Sequence, residues 1–452
     1  MHNTQGSSDS QNREHSVARL SLVHRALLAV YEFGWSLFIG GWFLFIVARK
    51  GKEGRQEIAQ RMGYVPTRPA SASSALWIHA VSVGELLSIR PVIDAIKRQS
   101  PGTWVLLTTS NEAAYQMALQ KPTGADAICR TPWDTAACIK RALARSQPRA
   151  LAIVECEIWP NMIRLTTEQN RAVFMINARI YERDYPRYHA ARFLFAPIMQ
   201  SITGVYTQSA ADRERFLAMG VSALRVKPGG NTKFDAIPNV RATSESVALR
   251  RSLRLGDSPL LILASTHEDE EQQILSHLST LCAKCPTLQI LIAPRDIQRA
   301  DRIVSLVEKA GLKHLRRSKV EKKSERPDVV ILDTLGELVQ VLGWGDVVFV
   351  GGSLVDKGGH NPIEPAAWGK PVLMGPHVGN FTDIVDAFRE ENAIGILPSA
   401  ESLCEEIARL LKEPVLANEM GSRARHVVEK NRGSAQRYAE LLLDSSVLRA
   451  AA

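Results

Sequence analysis

The chain has 452 residues, of which 45% are hydrophobic. This length allows two ordinary domains with buried cores, and the composition excludes a largely disordered chain. The formal net charge of +9 indicates an anionic partner, which could be nucleic acid, acidic lipid or a phosphorylated substrate; charge alone does not choose among them. The scattered cysteines indicate reduced thiols and a cytosol-facing body. Cys282 and Cys285 form a single C-x-x-C, which we interpret as core residues, and we expect no metal and no cofactor.

The N-terminal segment has the composition of a membrane anchor. Residues 1–25 are mostly polar and are predicted to form a loose tail. Residues 26–48 are apolar and aromatic-rich, interrupted only by Glu32, and approach the ~20 residues that span a bilayer. Basic residues crowd the segment that follows, so we expect the body on the cytoplasmic side. Glu32 and the tryptophans would also suit a shallower position in the interface, so spanning and interfacial placement both stay open.

The rest of the chain alternates apolar runs with amphipathic stretches, which is typical of parallel α/β domains. The first series of predicted strands is LWIHAV, TWVLLTT, ALAIVE, AVFMINA and GVYTQS. A Gly-, Pro-, Asn- and Ser-rich linker at residues 229–246 separates it from the second series, which is PLLILAS, LQILIAP, DVVILD, DVVFVGG, KPVLMGP and AIGIL. We predict two doubly wound, Rossmann-like domains at residues 66–232 and 246–445. They should face a cleft that holds the ligands.

Acidic residues follow two strands of the first series. Glu85 comes after the tight turn at Gly84 and falls in the first turn of a predicted helix, where the helix dipole favours an ionised carboxylate. Such a group could accept a proton from a sugar hydroxyl, or it could simply occupy a common position for acidic residues. Glu155 and Glu157 follow ALAIV and should point to one side of an extended chain. Lys233 lies near glycines in the interdomain linker.

The second series carries residues suited to a nucleotide. Arg295 follows Pro294 at the end of a predicted strand, where its guanidinium could bind phosphate or form a surface ion pair. In the stretch GGSLVDKGGHNPIEPAAWGKPVLMGP, Asn361 can cap a helix that contains Glu364. A helix N-terminus suits phosphate, and a carboxylate can accept the hydroxyls of a ribose. The stretch matches neither G-x-G-x-x-G nor the P-loop. The basic residues 313–326 are interpreted as a solvated loop.

Several motifs together resemble one family. HAVSVGE, ECEIWPN, NAR, GNTKFD, APR and GGSLVDKGGHNPIEPAAWGKPVLMGPHVGNF occur in the order found in the 3-deoxy-D-manno-octulosonic acid (Kdo) transferases of lipid A biosynthesis, from about Trp77 to Phe381. The resemblance implies a GT-B glycosyltransferase that is inverting. Its donor would be CMP-Kdo and its acceptor a phosphorylated lipid A precursor, lipid IVA. The enzyme would act at the cytoplasmic face of the bacterial inner membrane, with the membrane surface as a further partner.

The resemblance also implies roles for individual residues. Glu85 would be the catalytic base, and Glu155 and Lys233 would support the transition state. The CMP contacts would fall on Pro294, Arg295, Leu335, Gly336, Glu337, Asn361, Pro362, Ile363 and Glu364. The basic and aromatic run ARIYERDYPRYHAARF is a candidate acceptor surface through Arg179 and Arg183, although a solvated helix face would have the same pattern.

Other functions remain compatible with parts of the pattern. Another membrane-attached GT-B enzyme that uses a nucleotide sugar would share the two-domain organisation, and so would a non-catalytic nucleotide-binding scaffold. Charge alone motivates a nucleic-acid binder, but the sequence has neither an aromatic stacking platform nor a reading helix, so we expect no nucleic-acid partner.

Overall fold

A computed structural model of the protein describes residues 21–237, 240, 243–277, 281, 283–320, 326–444 and 446. The chain divides into a first unit, Met1–Ala236 with Arg432–Ala452, and a second unit, Ile237–Asn431. Residues 1–20 of the predicted tail and Cys282 lie outside the described residues. The described cysteines, which include Cys285, are free thiols.

The chain begins its described part with one long helix, α1, at Leu22–Arg61. It therefore starts before the predicted anchor and continues beyond it. The segment Leu22–Trp42 has 21 residues, a mean hydropathy of 1.3 and 0% of its residues buried. By length and composition it could cross a membrane. Some core helices of soluble proteins meet the same criterion.

The first unit is built on a seven-stranded parallel sheet with the order β3-β2-β1-β4-β5-β6-β7. Its first six strands have the 3-2-1-4-5-6 order of doubly wound sheets. Its strands are β1 Ser74–His79, β2 Thr103–Thr109, β3 Ala127–Arg130, β4 Ala150–Val154, β5 Ala172–Ala178, β6 Gly204–Thr207 and β7 Val226–Pro228. Its helices after α1 are α2 Val83–Gln99, α3 Glu112–Gln120, α4 Ala136–Ser146, α5 Pro160–Glu168, α6 Tyr185–Ala190, α7 Arg192–Met199 and α8 Ala210–Ala218.

The second unit has a seven-stranded parallel sheet with the order β10-β11-β9-β8-β12-β13-β14. Its strands are β8 Leu260–Thr266, β9 Gln289–Pro294, β10 His314–Arg316, β11 Val329–Ile331, β12 Val347–Val350, β13 Val372–Met374 and β14 Ile394–Ile396. Its described helices are α9 Ser244–Ser252, α10 Glu270–Ser276, α11 Ala300–Lys309, α12 Leu338–Val341, α13 Ile363–Ala367, α14 Thr382–Glu390, α15 Ala400–Lys412 and α16 Pro414–Asn431.

The central strands are buried on both faces, as parallel sheets require. In the first unit, Trp77 of β1 packs into one core cluster, whereas its neighbours Leu76 and Ile78 pack into the cluster on the other face. This alternation follows from the two-residue period of a strand. Helices cover both faces of the sheet, and the packed core fixes the positions of the strand ends.

All the predicted strands are present, and the α/β prediction is confirmed. Three short strands, β3, β7 and β10, were not predicted. β10 corrects the interpretation of residues 313–326 as a solvated loop, because His314–Arg316 pairs with β11. Arg316 also forms an ion pair with the buried Asp333 at 2.8 Å, so this part of the basic stretch is fixed by pairing and charge. Residues 321–325 lie outside the described residues.

Helix α17 at Ser434–Leu443 belongs to the first unit, whereas the sequence pattern had placed it in a second domain ending at residue 445. Its side chains Ala435, Tyr438 and Leu442 join a core cluster of the first unit. Asp235 fixes its N-terminus: Gly433 N–H donates to Oδ1 at 2.6 Å and Ala435 N–H donates to Oδ2 at 2.9 Å. A contact so distant in sequence leaves no local signal.

We expect Asp235→Ala to lower the free energy of unfolding by about 1–2 kcal/mol, the usual loss for a helix N-terminal cap. Denaturant unfolding would measure the change. Glu214→Ala is the control. The exposed Glu214 carboxylate forms a surface ion pair with Arg213, and surface ion pairs contribute little to the free energy of unfolding. Equal effects of the two substitutions would show that Asp235 does not hold α17.

Candidate functional site

The ends of β1 and β4 form the centre of the site in the first unit. These strands are neighbours in the sheet although β2 and β3 come between them in the chain. They therefore mark the topological switch point, where ligands of doubly wound sheets bind at the carboxyl ends of the strands. Glu85 follows β1 and Glu155 follows β4, so the sheet order brings together two residues that are far apart in sequence.

Glu85 is buried and folds back onto the loop that precedes its helix. Its backbone N–H donates to the N-cap Ser82 Oγ at 3.2 Å, and its Oε2 accepts the Val81 N–H at 2.7 Å. Burial, with a smaller contribution from the charges of Glu155 and Glu157, raises the pKa of Glu85 to about 7. The expected stabilisation of the ionised form at a helix N-terminus is thus outweighed, because loss of water penalises a carboxylate more than the first helical turn stabilises it.

Glu155 and Glu157 share this environment. Glu155 has a left-handed backbone, with φ 59°, so the expected extended alternation of the two side chains is wrong. Nevertheless, both carboxylates line the same cavity as Glu85. Burial raises the pKa of Glu155, while the nearby cations Lys233 and Arg179 act to lower it. Burial and the charge of Glu155 raise the pKa of Glu157 to about 7.

The cavity has a volume of about 150 Å³, which is smaller than typical small-molecule sites of about 300–1,000 Å³. Arg179 and Arg183 line it together with Tyr181 and Tyr188. The Arg179 guanidinium lies 4.2 Å from the centre of the Tyr181 ring, and that of Arg183 lies 5.3 Å from it. The aromatic members were not singled out from the sequence, although the alternation of arginine and tyrosine after NAR could have indicated them.

Lys233 is held beside this group by the loop after β7. Its backbone N–H donates to Asn231 Oδ1 at 3.0 Å, and the Asn231 amide donates to Gln208 Oε1 at 2.8 Å. The structure thus brings the sequence-predicted residues Glu85, Glu155, Lys233, Arg179 and Arg183 into one neighbourhood of the first unit.

A second group of polar residues lies at the switch point of the other sheet, between β8 and β12. Asn361 Oδ1 accepts the Ile363 N–H at 3.1 Å, and its amide donates to Glu364 Oε1 at 3.3 Å. Burial raises the pKa of Glu364, and the charge of Arg295 acts to lower it. Burial lowers the pKa of His360 to about 4, and Arg295 contributes to this shift. Arg295, His360, Asn361 and Glu364 are therefore neighbours.

Two functional candidates in this group were missed from the sequence. His267, just after β8, stacks on His360 with ring centres 5.0 Å apart. The fully buried Glu270 accepts the N–H groups of His267, Gly352, Ser353 and Leu354 at 2.7–3.0 Å. The backbone N–H groups of Gly352, Ser353 and Leu354 therefore already have an acceptor within the protein. The polar stretch STHEDEE, which begins at the end of the buried strand β8, could have indicated His267 and Glu270 as candidates.

The remaining predicted donor contacts occupy the turn after β11. Leu335 is exposed and Gly336 has φ 87°, a backbone conformation that favours glycine. The Glu337 carboxylate accepts hydrogen bonds from Arg317 at 2.9–3.2 Å and from the Thr334 hydroxyl. Burial acts to raise the pKa of Glu337, but these bonds outweigh it and lower the pKa. Among the described residues, no group of three or more His, Cys, Asp or Glu side chains is placed to hold a metal ion.

Known proteins resemble this chain over most of its length. The sequence model of the family described as 3-Deoxy-D-manno-octulosonic-acid transferase (kdotransferase) matches residues 56–236. The 3-deoxy-D-manno-octulosonic acid transferase of Haemophilus influenzae is 30% identical over 403 residues, which cover 88% of this chain and 94% of that protein. The chain belongs to the Kdo transferase family. It is therefore a glycosyltransferase that transfers Kdo. The Bordetella pertussis transferase is also 30% identical, over 90% of this chain and 92% of its own length.

Solved structures that resemble this Kdo transferase show its fold. The UDP-GlcNAc 2-epimerase from Neisseria meningitidis has a TM-score of 0.54 at 14% identity and covers 79% of this chain and 99% of its own. A glycosyltransferase from Rickettsia africae has a TM-score of 0.54 at 12% identity, covering 82% and 99% of the two chains. The predicted GT-B fold class, with two doubly wound parallel units, is confirmed.

The protonation of Glu85 can be tested directly. We expect its side-chain carboxyl ¹³C signal to titrate with a midpoint near pH 7. Glu157→Gln should move that midpoint to lower pH, because it removes a like charge that favours the protonated form. Glu245→Gln, at an exposed position on α9, should leave it unchanged. A Glu85 midpoint near the ordinary value of about 4.3 would contradict the buried environment described here.

Proposed function

We propose that this Kdo transferase moves Kdo from CMP-Kdo to the lipid A precursor lipid IVA, with inversion and with Glu85 as the general base, in lipopolysaccharide biosynthesis. The observation that carries the proposal is the position of Glu85. It lies at the switch point of the first sheet, in a cavity shared with three further carboxylates and two arginines, and burial raises its pKa to about 7.

The chemistry matches this set of groups. An acceptor hydroxyl gives its proton to Glu85 while its oxygen bonds to the anomeric carbon of Kdo from the face opposite the phosphate. The bond between that carbon and the phosphate oxygen breaks, and CMP leaves with the electron pair. A base whose pKa lies near the working pH contributes typically ~10²- to 10⁴-fold in rate. The Glu155 carboxylate supports the positively charged, oxocarbenium-like transition state. Lys233 supports it indirectly, because its charge favours the ionised form of Glu155.

Arg179 and Arg183 are the proposed acceptor contacts. Both stack on Tyr181 at the wall of the cavity, so their guanidinium groups are held at one place. A guanidinium binds phosphate oxygens in a bidentate manner, and the proposed acceptor carries phosphates. Arg179 is buried whereas Arg183 is exposed. We therefore expect Arg179 to position the acceptor sugar and Arg183 mainly to attract the negatively charged acceptor.

The second unit is the proposed donor site. Arg295, next to Pro294, would neutralise the phosphate of CMP as negative charge grows on it during bond breaking. Asn361 and Glu364, together with Pro362 and Ile363 between them, would bind the ribose, since a carboxylate can accept both of its hydroxyls. Leu335, Gly336 and Glu337 would contact the nucleotide from the turn after β11. The arrangement needs no metal, because cationic side chains can hold a monophosphate.

Helix α1 is the proposed membrane-binding element, at the cytoplasmic face of the inner membrane. It contacts the rest of the first unit at separate points, from His24 on the Phe193 carbonyl at 3.1 Å to Trp42 on Trp133, with ring centres 5.2 Å apart. The opposite face exposes apolar side chains, namely Leu22, Val23, Val30, Phe33, Leu37 and Phe38. A helix held against the protein in this way favours interfacial placement over spanning.

Incubation with CMP-Kdo and lipid IVA, read by mass spectrometry, tests the reaction. We expect a mass gain of one or more Kdo residues with the wild type. Glu85→Gln should lower kcat by about 10²- to 10⁴-fold, the contribution of a general base, while CMP binding persists. Glu182→Gln, an exposed neighbour in the run after NAR, is the matched control. Full turnover by Glu85→Gln would refute the base, and no mass gain with the wild type would refute the donor and acceptor.

Membrane binding has a separate test. We expect the double substitution Phe33→Asp with Leu37→Asp to reduce flotation of the protein with anionic phospholipid vesicles at least tenfold, because it places charge on the apolar face. Leu224→Asp changes an exposed apolar side chain of the first unit that is outside α1 and should float like the wild type. Unchanged flotation of the double variant would contradict the role of α1.

A further inference from the structure

Helix α1 is joined to the catalytic region by a buried hydrogen-bond network. Glu32, the charged residue within the apolar segment, accepts the Ala136 N–H at 2.7 Å and the Asn161 side-chain amide at 2.9 Å through the same oxygen, Oε1. The first of these bonds satisfies an N-terminal donor of α4, a group that has no partner within its own helix. Glu32 is thus a cap for another helix of the unit as well as a part of α1.

A second link runs through Asp134, which is fully buried. Its Oδ2 accepts the Tyr31 hydroxyl at 2.9 Å and the Asn161 N–H at 2.9 Å, and its Oδ1 accepts the Met162 N–H at 2.7 Å. Helix α5 begins with proline and has no side-chain cap of its own, so Asp134 provides the cap for its first turn. Tyr31 of α1 therefore contacts the group that fixes the start of α5.

The start of α5 is also the end of the segment that carries the catalytic carboxylates. Residues 155–159 lie between β4 and α5 and include Glu155 and Glu157. Because this segment forms neither helix nor strand, its path depends on its two anchored ends and on single loop contacts, such as the Tyr188 hydroxyl that donates to the Cys156 carbonyl at 3.3 Å. The sheet fixes one end at Val154. The network around Asn161, which is itself completely buried, fixes the other.

We propose that Glu32 and Tyr31 of α1 are positioning residues for Kdo transfer, acting through Asn161 and Asp134 on the segment that holds Glu155 and Glu157. The proposal rests on the proposed function of this site. A loss of the Glu32 contacts leaves the Ala136 N–H without its acceptor. It also removes one of the two acceptors of the Asn161 amide, whose other bond goes to the Asp134 carbonyl at 2.6 Å, and the start of α5 is then held less tightly. A shift of even 1 Å at a catalytic group is sufficient to cost a large part of the rate.

The kinetic signature separates positioning from binding. Glu32→Ala should lower kcat at least tenfold and change the KM for CMP-Kdo less than twofold, since the proposed donor residues are in the other unit. Glu32→Gln keeps a side-chain oxygen at the same place and should retain kcat within about threefold of the wild type. His24→Ala removes a different contact between α1 and the first unit and should leave kcat unchanged.

The pathway through Asn161 has its own test. Asn161→Ala should lower kcat by a similar factor, and Glu32→Ala combined with Asn161→Ala should cost little more than either change alone, because residues of one network are not additive. Hydrogen exchange of the peptide containing Asn161 and Met162 should be faster in Glu32→Ala than in His24→Ala. Full additivity, or unchanged exchange, would overturn the proposed route.

The outcomes remain decisive if one variant is unstable. Should Glu32→Ala fail to fold, Tyr31→Phe removes only the hydroxyl that donates to Asp134 and should lower kcat about threefold with an unchanged Tm. A wild-type kcat for soluble Glu32→Ala, or for Tyr31→Phe in its place, would overturn the inference while leaving the proposed function intact. An inactive wild type with CMP-Kdo and lipid IVA would instead refute the proposed function.

Discussion

The adjacency of β1 and β4 in the first sheet is the constraint on which the site depends. Parallel strands end at the same edge, and these two are neighbours only because the chain reverses direction across the sheet between them. Glu85 and Glu155 are consequently placed together in a buried position. Their shared burial, more than any single contact, sets the protonation of the site, because a carboxylate that loses water is harder to ionise.

This arrangement costs stability. Burial raises the pKa of Glu85 from 4.5 to about 7, and each pKa unit corresponds to about 1.4 kcal/mol. A carboxyl group whose pKa is higher in the folded state opposes folding as pH rises above its unfolded pKa. Lys233 and Arg179 offset part of this effect at Glu155. The left-handed backbone of Glu155 adds local strain. The packing of the fully buried strands β4 and β5 offsets this strain.

The N-terminal helix connects two properties that the sequence presents separately. Its exposed side is apolar, whereas its other side carries the polar residues Tyr31 and Glu32 into contact with the first unit. Glu32 interrupts an otherwise membrane-like segment, and as a sequence feature it only weakens the prediction of a span. In the structure it caps α4 and binds Asn161, so the same residue ties α1 to the start of α5 and thus to the segment that carries Glu155 and Glu157.

The sequence by itself determined the α/β class, the central strands and the order of the motifs, because strand periodicity and the residues just after each strand are local properties. It also indicated Glu85, Arg179 and Asn361, each of which lies within or beside a quoted motif. Only the tertiary structure decided the edge strands β3, β7 and β10. Each carries a basic residue within three or four positions, so no uninterrupted apolar run marks it, whereas the equally short β11, β13 and β14 are apolar throughout. The same holds for the return of α17 to the first unit, the capping roles of Glu32 and Asp134, the hydrogen bonds of Glu270 and the raised pKa of Glu85, because each depends on burial or on contacts between residues far apart in the chain.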